Sequence, residues 1–223
     1  MDYSGFGIPW NECRTRLQPQ DMQRLERFVM LNQRCGGTKD NFWCVEEDGQ
    51  IADVLIFDFI GNTDQLCERI LQVKAACINV RLNSTGGNAL EMFKVLNALS
   101  SLVDHKTITT VVSGLAASAS AVLAAAGERA YIASDAFYAI HNGYPDKGKP
   151  ETTDKEQEGF NTYIASIFQM RTGIPIEQLQ AWMDQDTLFT PQEALALGFV
   201  DEIIAPDPLF TDLMHLKRVS RSA

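Results

Sequence analysis

The chain has 223 residues, 45% of them hydrophobic and 22% charged, which suits one large domain with a real core. A formal net charge of -10 disfavours nonspecific binding to nucleic acid or to an anionic membrane. No stretch reads as a signal peptide, and no apolar run is long enough to span a bilayer. The five cysteines, Cys13, Cys35, Cys44, Cys67 and Cys77, are odd in number and hold no Cys-x-x-Cys spacing. They form neither a disulfide framework nor a zinc pattern, and they suit a reducing compartment, with cytoplasm as the expected setting.

Residues 1–17 mix Gly, Pro, Trp and charge without a period and are expected to be irregular. A helix is predicted over 18–34, stopped by Gly36-Gly37. Strands are predicted at 42–46 and 53–59, joined by a turn at Glu47-Asp48-Gly49. Thr63 is placed to cap a helix running to about Ala75. The β-branched run CINVRL (77–82) reads as a strand, Asn83 to Asn88 as a turn, and Leu90, Phe93, Leu96 and Leu99 as one helix face. Residues 107–112 form another strand. Two short strands are expected at 129–133 and 136–140, then a loop over 142–150. A long amphipathic helix follows at 152–171, ended by Gly173. Helices at 176–183 and 191–196, the second capped by Thr190, precede a strand at 199–204. Strands alternating with helices argue for an α/β fold with a largely parallel sheet.

The run VVSGLAASASAVLAAAG (111–127) reads as strand, tight turn at Ser-Gly-Leu, and helix. It places Ser118 at the first turn of that helix, where free N–H groups favour an anionic oxygen. A Ser there is either a helix cap or a nucleophile. Of the three histidines, His105 and His215 lie in a polar connection and in the tail. His141 stands at a strand end, where parallel α/β sheets place their ligand sites. Acyl transfer needs a nucleophile, a base, a group that orients the base, and donors for the oxyanion. Ser118 and His141 fill the first two roles. The N–H of Ala119 and one from Gly86-Gly87 supply the donors. Asp184 and Asp186 are both open as the orienting acid, since spacing alone selects neither.

In order, NSTGG (83–87), GLAASASAVLAAAG (114–127), AIHN (139–142) and DTLFTPQEALALGFVDEI (186–203) resemble the proteolytic subunit of the ATP-dependent Clp protease. They are most similar to its phage-encoded relatives, the head maturation proteases. The resemblance implies Ser118 as nucleophile, His141 as general base, Asp186 as the triad acid, and Gly87 and Ala119 as oxyanion-hole donors. The phage branch often carries an Asp at the position of Asp184, which keeps Asp184 as the alternative acid. Thr85 stands where the family has Pro, and Ala119 where Met is common.

The implied fold is the ClpP/crotonase type, a spiral of β-β-α units with the 152–171 helix as a handle. On that reading residues 1–40 are an N-terminal extension, 41–207 the protease domain and 208–223 a tail. The implied assembly is a homo-oligomeric ring or double ring enclosing its active sites and taking polypeptide substrates. The family's partner is a Clp-type ATPase unfoldase, although the first 40 residues do not resemble the family's axial loop. Such chemistry needs no metal or organic cofactor. Two alternatives accompany it: a crotonase-type acyl-CoA enzyme, and a catalytically degenerate scaffold.

Overall fold

The computed structural model describes residues 3–34 (side chains to 26), 42–143 and 153–206. The expected helix stop at Gly36-Gly37, most of the 142–150 loop, and the tail with His215 lie outside the described residues. The segment expected to be irregular carries a two-residue strand, β1 (Ile8–Pro9), a 3-10 turn at Trp10–Glu12 and a short helix, α1 (Cys13–Arg16). Local pattern misses these because long-range pairing makes them. Helix α2 (Pro19–Arg34) matches the periodic stretch. Strands β2 (Trp43–Asp48) and β3 (Ile51–Ile60) form the expected antiparallel hairpin.

Helix α3 (Asp64–Gln72) starts where expected, but the Thr63 side chain does not cap it. The Thr63 hydroxyl instead donates to Glu91 Oε2 at 2.8 Å, and Asn62 Oδ1 accepts from the Asp64 N–H at 3.0 Å. Thr63 is fully buried, so its hydroxyl is drawn to a carboxylate inside the fold rather than to its own helix. Strand β4 (Cys77–Gly87) runs straight through the stretch read as a turn, and Asn88 caps α4 (Ala89–Ser100). Strand β5 (Thr107–Ala117) likewise runs through Ser113-Gly114-Leu115 before α5 (Ala119–Ala125). In both places cross-strand pairing extends strands that Gly and Ser were expected to end.

Strands β6 (Arg129–Ala133) and β7 (Phe137–Ile140) fall as expected. Helix α6 (Asp154–Thr172) opens on a Thr153–Glu156 capping box and closes on Gly173 at φ 71°. Helix α7 (Ile176–Met183), strand β8 (Thr187–Phe189), helix α8 (Pro191–Ala196) and strand β9 (Glu202–Ile204) complete the described chain. The three residues of β8 are too few to show a period. Among the described residues, no helix is long and apolar enough to cross a membrane.

The strands form one mixed sheet in the order β1-β8-β7-β5-β4-β3-β2. Strands β3, β4 and β5 are parallel neighbours. The outer edge of β5 is shared: Thr109–Val112 pairs with β6, and Leu115–Ala117 with β7. Alternate residues then face two cores. Ala116, Tyr138, Ile140 and Phe189 belong to the main core with the helices. Leu115, Phe137, Ala139 and Leu188 face a second cluster closed by Ile8, Cys13, Leu17 and Leu25 of the N-terminal segment.

The last turn of α6 is tied to the strand region by Arg171, whose Nη2 lies 2.5 Å from Asp201 Oδ2, while Asp201 also accepts from the Ala130 N–H at 2.8 Å. Burial opposes the charge on Asp201, but the Ala130 N–H and the Arg171 guanidinium outweigh it and hold the carboxyl below its ordinary value of 3.8. A depressed carboxyl stabilises the fold above its unfolded pKa, and that share is lost as pH falls through the folded one. Urea unfolding across pH 6 to 3 should therefore lose more stability in the native chain than in Asp201→Asn, which starts weaker at pH 6 and changes less.

Candidate active site

Strand register gathers the candidate residues. Gly86 lies beside Ser118 because β4 and β5 pair at Ser84↔Ala116. Strands β5 and β7 pair at Ala117↔Ala139, and the Ser118 N–H donates to the Ala139 carbonyl at 3.2 Å. His141 directly follows β7. Strands β7 and β8 are antiparallel with Ile140↔Thr187, so one step outward His141 stands opposite Asp186. Ser118, His141 and Asp186 thus occupy the ends of three neighbouring strands.

Ser118 sits between β5 and α5 with φ 58° and ψ -126°, and its side chain makes no cap hydrogen bond. The helix-cap reading of this residue is overturned. A non-glycine residue in this conformation is strained, as in the strand-to-helix turns that present serine nucleophiles. The turn is held from behind. The buried Tyr138 hydroxyl donates to the Ala121 carbonyl at 2.5 Å, and Thr110 Oγ1 donates to Ala124 at 2.6 Å. All seven residues of α5 are buried. As the first residue of that helix, Ala119 has no intrahelical acceptor for its N–H.

The two glycines have different work. A Cβ on Gly86 (φ 93°) would lie 2.5 Å from Ser118 Cβ and 2.9 Å from Ala119 N. A Cβ on Gly87 would lie 2.3 Å from the Ile60 carbonyl oxygen. The Gly86 N–H is taken by Ser84 Oγ at 3.1 Å, and the Asn88 N–H by the Ile60 carbonyl at 2.9 Å. Successive N–H groups of a strand point to opposite edges, so that of Gly87 is directed to the edge next to β5.

His141 is half-buried, and its Nδ1 lies 2.5 Å from the Asn142 carbonyl oxygen. That contact favours the tautomer with a proton on Nδ1, which leaves Nε2 to accept. The chain beyond is fixed to α6: the Gly143 N–H donates to Asn161 Oδ1 at 3.0 Å, and Gln157 Nε2 donates to the Gly143 carbonyl at 2.7 Å. Asp186 is half-buried with φ 48°. Asp184 is exposed, ends α7, and accepts from Asn142 Nδ2 at 2.6 Å. Asn142 is the addition that sequence reading missed; its place directly after His141 is the signal. Among the described residues, no group of three or more His, Cys, Asp or Glu side chains is placed to hold a metal ion.

Residues 63–207 match the family model for Clp protease. The chain is 28% identical over 135 residues to the ATP-dependent Clp protease proteolytic subunit 4 of Streptomyces avermitilis, covering 57% of this chain and 59% of that subunit. It therefore spans less than two thirds of that relative. It is 32% identical over 157 residues to the proteolytic subunit 1 of Mycobacterium leprae, covering 66% of this chain and 76% of that subunit. Its fold matches a ClpP1 mutant from Listeria monocytogenes with a TM-score of 0.60 at 25% identity, over 69% of this chain and 91% of the other.

Gly86→Ala combines a disfavoured φ with contact against Ser118. It should lower stability by about 2–4 kcal/mol in urea unfolding, where an ordinary surface Gly→Ala substitution stays within about 1 kcal/mol.

Proposed function

This chain belongs to the Clp protease family, and we propose that it is a serine endopeptidase with Ser118, His141 and Asp186 as its triad. The observation that carries the reading is the register that assigns these three residues to adjacent strand ends around Gly86. In the proposed mechanism Ser118 Oγ attacks the peptide carbonyl while His141 Nε2 takes its proton. The N–H groups of Gly87 and Ala119 hold the oxyanion. His141 then protonates the leaving amine, and water, deprotonated in turn by His141, releases the acyl group and restores Ser118. Asp186 orients the imidazole by accepting the Nδ1–H once that proton turns to it from the Asn142 carbonyl, which holds it in the resting chain. Asp184 is spoken for by Asn142 at the surface, which favours Asp186 for that role.

The strained φ of Ser118 argues against a degenerate scaffold, since strain of this kind is kept where chemistry uses it. Membership in a protease family takes support from the acyl-CoA alternative. The proposal extends to a ring or double ring, with α6 as the contact element. That helix leaves Tyr163 and Met170 54% and 79% exposed beside its buried Ile164 and Phe168. A Clp-type ATPase as partner and the cytoplasm as setting rest on the family alone. A phage-head substrate rests on the motif resemblance alone.

Ser118→Ala should abolish both peptide cleavage and labelling by a fluorophosphonate, and labelling that persists at full occupancy would remove Ser118 from the mechanism. Asp186→Asn should lower kcat by about 100-fold or more, as expected when an imidazole loses its orienting carboxylate. Asp184→Asn should stay within about threefold of the native chain; the reverse ranking would transfer the role to Asp184.

A further inference from the structure

We propose that the N-terminal segment, residues 3–17, is a positioning element for Asp186, and that the Trp10 N–H is the contact through which it acts. The proposal rests on the triad reading above. This segment precedes the part of the chain that matches the family model.

Asp186 adopts φ 48°, a conformation that a non-glycine residue keeps only where its surroundings impose it. Two backbone bonds do so here. The Asp186 N–H donates to the Met183 carbonyl at 3.2 Å, and the Asp186 carbonyl accepts from the Trp10 N–H at 2.9 Å. The second bond continues the pairing of β1 with β8, in which Ile8 faces Leu188 and Pro9 faces Thr187. Strand β1 thus grips β8 on the edge that β7 leaves open, and its last rung falls on the acid itself.

Two further sets of contacts hold the segment in place. Gly7 comes so close to β8 that a Cβ there would lie 2.4 Å from Thr187 Cγ2. Its N–H donates to Glu193 Oε1 at 2.9 Å, while Glu193 Oε2 completes the capping box with Thr190 at 2.8 Å. One carboxylate therefore joins the segment to the helix that follows β8. Beneath the sheet, Ile8, Cys13 and Leu17 pack with Leu115 of β5, Phe137 and Ala139 of β7, and Leu188 of β8. These are the three strands whose ends carry Ser118, His141 and Asp186. Docking of the segment sets the spacing of those ends as well as the turn of the acid.

Two substitutions at one position separate the N–H from the side chain. Trp10→Pro removes the donor and the indole; Trp10→Ala removes only the indole. Trp10 opens a 3-10 turn, and Pro9 has φ -53° and ψ 137°, a conformation that tolerates a following proline. In the full chain, Trp10→Pro should slow fluorophosphonate labelling of Ser118 and lower kcat on a short peptide by about tenfold or more, with KM changed less than about threefold. Trp10→Ala should stay within about twofold of the native chain. The imidazole 15N signals of His141 should move in Trp10→Pro and hold in Trp10→Ala. Equal rates in the two variants, whether both high or both low, overturn the proposal.

If Trp10→Pro yields no folded protein, Ile8→Ala is read in its place, since it thins the apolar anchor of the same strand. A labelling rate at least threefold below native supports the proposal, and a native rate overturns it. A native chain that does not label at Ser118 overturns the protease reading instead, and the clamp is then judged by the His141 signals in Trp10→Pro, or in Ile8→Ala if that variant is used. Unmoved signals overturn it.

Discussion

The hydrogen bond from the Leu115 N–H to Asn83 Oδ1, 2.9 Å long and fully buried, is the constraint on which the rest of the site depends. Strands β4 and β5 pair in steady register up to Leu82↔Val112 and resume at Ser84↔Ala116. Three residues of β5 lie opposite one of β4, so the ladder cannot serve every backbone group there. An amide oxygen from within the sheet replaces the missing carbonyl for the Leu115 N–H, at the expense of the Asn83 Nδ2, which is buried without a partner among the described residues. The same irregularity lies where β5 passes from β6 to β7. Its last three residues are thereby brought beside the strand that leads to His141.

Next to Asn83, Ser84 braces the other side. Its hydroxyl donates to the Asp58 carbonyl and its oxygen accepts from the Gly86 N–H. Asp58 marks the irregularity in β3 and has φ 63°. Among the described residues, the non-glycine positions with positive φ are Asp58, Ser118 and Asp186. One supports the glycine that abuts Ser118, one is Ser118, the proposed nucleophile, and one is the proposed acid. Backbone strain in this chain is concentrated around the site, where neighbouring bonds hold it.

Much of this was legible in residue order. The hydrophobic runs of β3, β6 and β7 stand out as apolar segments, β7 being buried on both faces, and α6 and α7 show their helical period because each buries one face. The cap at Thr190 follows from a side chain that serves its own helix. Failures came where a residue serves a distant partner. Thr63 looks like a cap but bonds Glu91; Ser113-Gly114 and Gly86-Gly87 look like turns but lie in strands whose partners hold them extended. Strand β8 and the N-terminal strand were hidden for the same reason: each is two or three residues long and exists because the other, or β7, lies alongside. The candidate triad could be named from motif order, but which acid stands across from His141 is a matter of register, which one-dimensional spacing does not carry.

The two rims of the sheet's main path are also shielded against pairing with foreign strands. At one end β1 lies over the free side of β8, and it is short and contains Pro9, which lacks an N–H to offer. At the other, β2 turns out exposed carboxylates at Glu46 and Asp48. A second molecule approaching edge-on there would meet like charge in register with its own. Runaway stacking of sheets into fibrils is thus discouraged at both margins, by stopped chain at one and by repulsion at the other.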